Sequence, residues 1–325
     1  MTKAKNIAAY AAVAAASPYL VLKIMWLSGS TIGTNASTPD DATFYAMNLF
    51  TVLMDATAVL LALAFTRRWG RRLPAPLILF PMWVGIGFLG AIVLALPAAA
   101  AISALRGVNV FAEGGGIVEP WVYAVVYVGF VSQGVGLLTA FVLYARERWP
   151  RLPGGPLPSE LGLLAKSMVG MQALLGLICL YWGLGGDAGL PAGSTSFSGR
   201  FLLAVFGLLS GAGAFGLLRL RPGPTWPALT LAWVGAGTNF AWGLWLTLNL
   251  VIDSPLSGGD QPLGLLGLVS LLRLLAGTAV GLIAATQLAQ PSHSSANEPA
   301  PPQDADERAP LHQAHRTAGD ERLTV

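Results

Sequence analysis

Residues 18–33 read PYLVLKIMWLSGSTIG, the outer half of an apolar helix that contains one lysine, Lys23. A charge at the centre of a bilayer costs at least about 2.5–3.5 kcal/mol, so this lysine needs an acid, a cavity or a route to the interface. It lies about six residues, roughly 9 Å, from the outer end of the predicted helix. We therefore expect outward snorkelling first, with pairing to a buried acid and a direct ligand or proton role as alternatives.

The composition around this stretch is that of a helical membrane protein. The 325 residues are 54% hydrophobic and only 11% charged, whereas a soluble domain carries about 25% charged residues. Long apolar runs with so few charges predict an all-α membrane protein. The net charge of +3 comes from arginines in short loops, which indicates membrane topology and no nucleic-acid partner.

Eight apolar segments are long enough to cross the bilayer, and they predict a transmembrane domain over residues 1–288. The spans are expected at about 7–28, 43–66, 75–97, 120–144, 161–183, 201–218, 226–251 and 263–288. Seven spans result if the weaker fifth or sixth segment fails to cross. Residues 289–325 are rich in Pro, Ser, Ala and charges, which predicts a disordered cytoplasmic tail that offers a contact region for a protein partner.

The loop charges orient these spans. With the amino end inside, the short inner segments hold eleven Lys and Arg residues, and the outer loops hold two, Arg106 and Arg200. The inner set comprises Lys3, Lys5, Arg67, Arg68, Arg71, Arg72, Arg146, Arg148, Arg151, Arg219 and Arg221. This asymmetry predicts a multi-pass protein of the cell membrane with both termini in the cytoplasm.

Two short motifs recur about 150 residues apart. The segment WVGIG at 83–87 returns as WVGAG at 233–237, each in a third-span position of its half. A WxxGxxxG pattern is formed by Trp26, Gly29 and Gly33 and again by Trp182, Gly185 and Gly189. These matches indicate two four-helix halves, 1–151 and 152–288, in a parallel repeat. Chance recurrence in a chain rich in Gly and Trp is the alternative.

A few polar residues are expected at membrane depth. Asp55 and Arg273 lie about twelve and eleven residues from the outer ends of the second and eighth spans, near the midplane and with opposite charge. We expect Asp55 to pair with Arg273, with Lys23 as a competing partner. Gln133 and Asn239 fall at a similar depth and complete a candidate polar cluster. Such a cluster either fixes helix packing or serves an ion, proton or polar-ligand pathway.

Signatures of catalysis, cofactors and metals are missing from the predicted spans. Cys179 is the only cysteine, and the three histidines, His293, His312 and His315, lie in the tail. This distribution predicts no histidine-bound haem or metal site within the membrane. The sequence contains no nucleotide-binding loop, no HExxH motif and no serine with a histidine in a span. We therefore expect no enzymatic activity and no cofactor.

The segment PYLVLKIMWLSG at 18–29, the inner loop RRWGRRLP and the charged tail provide a family resemblance. They resemble multi-pass integral membrane proteins of actinobacteria, an uncharacterised group with a PYxxLKxxWxxG first helix and arginine-tryptophan inner loops. The resemblance covers about residues 7–288 and implies that the first helix matters beyond spanning the bilayer. It implies no particular substrate and no catalytic residue.

Three classes of function are compatible with these observations. The first is a small-solute or ion transporter, or a permease-like protein, that uses Lys23, Asp55 and Arg273. The second is a non-transporting sensor, regulatory component or partner subunit that binds through its tail. The third, an intramembrane enzyme acting on lipid, is disfavoured because nucleophile-base pairs and metal ligands are missing.

Overall fold

A computed structural model of the protein describes residues 2–35, 42–107, 118–149, 162–190, 196–220, 226–251 and 264–289. These ranges form eight α-helices and one 3-10 helix. In chain order they are α1 (Thr2–Leu27), α2 (Ala42–Thr66), the 3-10 helix (Arg68–Arg72), α3 (Ala75–Leu105), α4 (Pro120–Arg148), α5 (Leu163–Gly183), α6 (Phe197–Arg219), α7 (Trp226–Val251) and α8 (Leu265–Ala289). Each predicted span coincides with one helix, which confirms the all-α membrane fold. Residues 290–325, where the sequence predicts a disordered tail, lie outside the described residues.

Seven of these helices are long and apolar enough to cross a membrane. The exception is α7, and not the fifth or sixth segment that the sequence marked as weak. At 26 residues, α7 extends about 39 Å, so its length suffices for a hydrocarbon core of about 30 Å. Its apolar character is diluted by buried polar residues, including Thr238, Asn239 and Asn249. Because those groups face protein, α7 needs less apolar surface than a lipid-facing helix.

The helices pack in a definite order within the compact unit Met1–Leu288. Helix α1 packs against α2 and α4, α5 packs against α6, and α7 contacts both α3 and α6. Glycines bring α8 onto α7, since a Cβ on Gly277 would lie 2.4 Å from the backbone nitrogen of Phe240. Such close backbone approach is typical of helix packing in membranes, where small residues replace a hydrophobic driving force.

The two WxxGxxxG segments adopt the same local structure. Trp26 Nε1 donates to the Ile32 carbonyl at 2.7 Å, and Trp182 Nε1 donates to the Ala188 carbonyl at 2.9 Å, six residues ahead in both cases. The first glycine ends each helix with positive φ, +89° at Gly29 and +111° at Gly185. That conformation favours glycine, so the motif encodes a helix C-cap followed by a return turn.

The second glycine of each motif also has positive φ, +75° at Gly33 and +80° at Gly189. Each packs against the beginning of another helix of its own half: a Cβ on Gly33 would lie 2.6 Å from Val122 of α4, and one on Gly189 would lie 2.3 Å from Leu265 of α8. The two copies of the motif therefore make equivalent contacts. The division into halves at residue 151 stays a prediction, since residues 150–161 lie outside the described ranges.

The other repeated motif forms the crossing of α3 and α7. Trp83 Nε1 donates to the carbonyl oxygen of Trp233 at 3.0 Å, so the two equivalent tryptophans meet. A Cβ on Gly87 would lie 2.1 Å from the carbonyl oxygen of Gly237, and one on Gly237 would lie 2.8 Å from that of Trp83. Equivalent residues in contact are what a two-fold axis along the membrane normal would place at its centre.

The loop RRWGRR is a tight turn fixed by α4. The carbonyl oxygen of Gly70 accepts hydrogen bonds of 3.0 Å from Tyr144 Oη and of 3.0 Å from Arg148 Nη1. Glycine is required there, because a Cβ would lie 1.8 Å from the Ala64 carbonyl oxygen. We call residues 67–72 the arginine turn. Its position relative to α2 and α3 is therefore set by hydrogen bonds from a third helix.

Candidate functional site

The membrane region contains a buried ion pair between α1 and α2. Lys23 Nζ lies 2.8 Å from Asp55 Oδ2, and the two residues are 1% and 7% exposed. The ammonium group also lies 3.9 Å from the centroid of the Tyr19 ring, one turn back on α1. Desolvating two charges is costly, and the pair is tolerated because each charge compensates the other in good geometry. The ring adds a cation–π contact.

This geometry corrects the prediction that Asp55 pairs with Arg273. Asp55 binds Lys23, the residue expected as a competitor. The prediction used depth along a span, and depth does not say which helices are neighbours. Helix α2 packs against α1, so Lys23 is within reach. Arg273 instead contacts α6 and α7.

The expectation that Lys23 snorkels outward is also wrong. Side chains of an α-helix lean toward its amino end. The amino end of α1 is the end farther from the loop after Leu27, so the lysine stem leads away from that interface. At 1% exposure the ammonium group is enclosed by protein. The alternative of pairing with a buried acid describes it correctly.

A second polar cluster surrounds Arg273 on α8. Its Nε donates to Asn239 Oδ1 of α7 at 3.2 Å, and Asn239 Nδ2 donates to Ser210 Oγ of α6 at 2.8 Å. The Ser210 hydroxyl in turn donates to the carbonyl oxygen of Gln172 on α5 at 2.8 Å. The guanidinium carbon stacks 4.2 Å from the centroid of the Phe206 ring. One hydrogen-bonded chain thus crosses all four helices of the second predicted half. We call it the Arg273 relay.

The Arg273 relay leaves several polar atoms without partners. Arg273 is 2% exposed, its Nη2 has no hydrogen-bond partner, and no carboxylate of the described residues lies within ion-pair distance of it. Both side-chain amide atoms of Gln172, fully buried, are likewise without a partner, as is the Thr238 hydroxyl. Unpaired buried polar groups are expensive, and a charged one more so. This feature distinguishes the cluster from the self-compensated Lys23–Asp55 pair.

The five candidate residues therefore fall into separate groups. Lys23 and Asp55 form one contact, and Asn239 and Arg273 form another. Gln133 is buried in α4 at 3% exposure, and no hydrogen bond between described residues joins it to the other four. The sequence predicted that all five are close, whereas the helices keep the two charged groups in different parts of the bundle.

Four contributors to these groups were missed from the sequence: Tyr19, Gln172, Phe206 and Ser210. Gln172 lies near the middle of α5, so the depth argument applied to Asn239 would have found it. Ser210 carries too weak a signal, because serines in membrane helices commonly bond their own backbone. Tyr19 suits a membrane interface by its type, which concealed its contact with Lys23.

Within the described ranges, no group of three His, Cys, Asp or Glu side chains could hold a metal ion. Taken together, these features describe a multi-pass α-helical membrane protein with charged residues inside its helix bundle. Comparisons with protein-family models, with curated proteins and with solved structures found no match. The resemblance to actinobacterial membrane proteins therefore stays a prediction that rests on the first helix and the inner loop.

Proposed function

We propose that this membrane protein lies in the cell membrane with both termini cytoplasmic and moves a small solute or ion, acting as a transporter or permease-like protein without enzymatic activity. The observation that supports it best is the uncompensated charge of Arg273. A purely structural interior is expected to pair such a charge, because an unpaired one lowers stability. Intramembrane ionisable residues commonly mark substrate or ion pathways.

The Arg273 relay has further properties that suit a polar pathway. It joins α5, α6, α7 and α8 through Gln172, Ser210 and Asn239, so a solute that reached Arg273 would meet donors and acceptors on several helices. The unpartnered Gln172 amide and Thr238 hydroxyl could bond such a solute. The Lys23–Asp55 pair is already neutral as a unit and is assigned a supporting role.

The proposal is tested with purified protein in liposomes. Solid-supported membrane electrophysiology would measure currents after concentration jumps of sodium, potassium, chloride, acetate and phosphate. We expect the wild type to give a current above empty liposomes for at least one ion. Arg273→Gln should reduce it at least tenfold, because it removes the only charge of the relay.

Arg200→Gln is the matched control for this experiment. Arg200 is also an arginine of the second half, but it lies in the first turn of α6, outside the Arg273 relay, and pairs with Asp187 in a partly exposed contact. It should retain the wild-type current. Equal currents in the wild type and Arg273→Gln would refute the proposed role of Arg273. The absence of any current across the ion panel and a comparable panel of neutral solutes would favour the sensor or partner-subunit alternative.

A further inference from the structure

An apolar pocket of about 250 Å³ lies beside the arginine turn, between α2 and α3. Its wall includes Thr57, Leu60 and Ala64 of α2, Trp69 of the turn, and Leu77 and Pro81 of α3. The outer parts of this wall are exposed, Leu60 at 57%, Trp69 at 43% and Leu77 at 61%. The pocket is therefore a groove on the outside of the bundle. It includes none of the polar residues discussed above.

The groove lies close to the arginine turn along α2. Thr57 precedes Arg67 by ten residues along the chain, which corresponds to about 15 Å of helix. Half of a hydrocarbon core of about 30 Å is also about 15 Å. The groove residues of α2 therefore lie within about one leaflet's thickness of the arginine turn. Its volume is below the roughly 300–1,000 Å³ of ordinary small-molecule pockets, and its apolar wall suits a hydrocarbon chain.

The arginine turn, which supplies Trp69 to the groove wall, is strongly basic, and we call this side of the groove the rim. Arg67, Arg68 and Arg72 are exposed, and none of them forms an ion pair with a carboxylate of the described residues. The fourth arginine, Arg71, differs because it lies 3.3 Å from Glu147. Three arginines at one edge of an apolar groove provide charge for an anion located at the membrane surface.

The rim is also held in place by α4. Glu147 pairs with Arg71 and with Lys5, a buried residue of α1. Arg148 and Tyr144 donate to the Gly70 carbonyl. The turn that carries the free arginines is thus fixed before anything binds, which lowers the entropic cost of binding.

We propose that this groove binds an anionic glycerophospholipid of the surrounding membrane. One acyl chain would lie along Leu60, Ala64 and Leu77, and the phosphate group would contact Arg67, Arg68 and Arg72. The site is specific for charge because the apolar wall accepts any acyl chain, whereas the rim favours a negative headgroup. This inference is independent of transport, since the groove lies apart from the Arg273 relay.

The test measures lipid retained by the purified protein. Detergent-solubilised protein is mixed with equal amounts of phosphatidylglycerol and phosphatidylcholine of identical acyl chains, and bound lipids are counted by native mass spectrometry. Wild type should retain the anionic lipid preferentially. An exposed ion pair contributes at most about a fivefold change in binding, so Arg68→Gln with Arg72→Gln should lower retention by up to about 25-fold.

Two matched controls make the result decisive. Arg146→Gln with Arg219→Gln removes the same charge from two exposed positions that do not line the groove, in the last turns of α4 and α6, and should leave retention unchanged. Thr57→Phe should obstruct the groove, whereas Thr139→Phe should not. Thr139 is a matched site because both threonines are exposed and each bonds the carbonyl four residues back.

If the control pair Arg146→Gln with Arg219→Gln loses as much lipid as Arg68→Gln with Arg72→Gln, the lipid responds to overall surface charge and not to the groove. That result would overturn the proposal. Equal retention of the two lipids by the wild type would overturn it as well. Loss with Thr57→Phe and not with Thr139→Phe, together with preference for the anionic lipid, supports it.

Discussion

At the scale of single residues, the buried cations Lys23 and Arg273 differ in how their charges are compensated. Lys23 has an acid at 2.8 Å, whereas Arg273 has an amide oxygen and an aromatic face. In a bilayer interior the Lys23–Asp55 pair has no net charge, because the two opposite charges neutralise each other. Arg273 retains its positive charge and an unpartnered Nη2. This difference is why we assign packing to the former and solute contact to the latter.

The mutual stabilisation of Lys23 and Asp55 can be tested by a double-mutant cycle. Lys23→Met or Asp55→Asn alone should lower the free energy of unfolding by about 3–5 kcal/mol, because each leaves an uncompensated buried charge. The double variant should lose less than the sum of the two. Thermal unfolding in detergent measures both quantities.

The control for this cycle is the partly exposed pair Arg200–Asp187, whose loss should cost at most about 1 kcal/mol. Additive losses at Lys23 and Asp55 would contradict the coupling that their contact implies.

Gln172 provides a second prediction for one residue. Its buried amide has no partner, so Gln172→Met should raise the free energy of unfolding by about 1–2 kcal/mol while it keeps the volume. If the amide serves the solute, the same variant should lower transport measured in liposomes. A destabilised variant with unchanged transport would show that this amide has a structural partner and no role in the pathway.

At the scale of elements, the crossing of α3 and α7 depends on glycines of the repeated segments WVGIG (83–87) and WVGAG (233–237). Gly87→Ala should lower the free energy of unfolding by about 1–3 kcal/mol, because its Cβ would lie 2.1 Å from the Gly237 carbonyl oxygen. Gly85 and Gly90 of the same helix have open space at the Cβ position. Alanine at either should be neutral or stabilise by up to about 1 kcal/mol. Equal effects at all three positions, measured by thermal unfolding, would contradict close packing at this crossing.

The sequence predicted these elements well and their neighbours poorly. Helix boundaries agree within a few residues in most cases, because a run of 20 apolar residues has few alternatives to a helix in lipid. The recurrence of WxxGxxxG was also visible in the sequence, but the turn that each copy forms was not predicted. The partner of Asp55 could not be predicted, because position along a span does not determine how the helices are rotated or which of them are neighbours. Packing of α1 on α2 decided that contact.

At the scale of the whole molecule, α7 links the other observations. It is the least lipid-like helix, it crosses α3 at the repeated motif, and it carries Asn239 into the Arg273 relay. A helix surrounded by protein can retain polar groups that a lipid-facing helix cannot. Asn239 therefore both reduces the apolar character of α7 and joins the Arg273 relay.

The orientation of the protein in the membrane can be measured by labelling single introduced cysteines, because the wild type has no accessible cysteine of its own. Cys179 is the only cysteine and is buried, so the wild type should not react with a membrane-impermeant maleimide. Thr31→Cys, in the exposed turn after α1, should be labelled in intact cells. Arg72→Cys, at the arginine turn, should be labelled only after lysis, because arginine-rich loops stay in the cytoplasm.

A reporter fused to the carboxyl end then tests whether α7 crosses the bilayer. Eight crossings place that end in the cytoplasm with the amino end, so green fluorescent protein should fluoresce there and alkaline phosphatase should be inactive. If α7 does not cross, seven crossings leave the carboxyl end outside and the two reporters exchange behaviour. Labelling of Arg72→Cys in intact cells would instead contradict the loop-charge argument itself, since an outer arginine turn reverses every crossing.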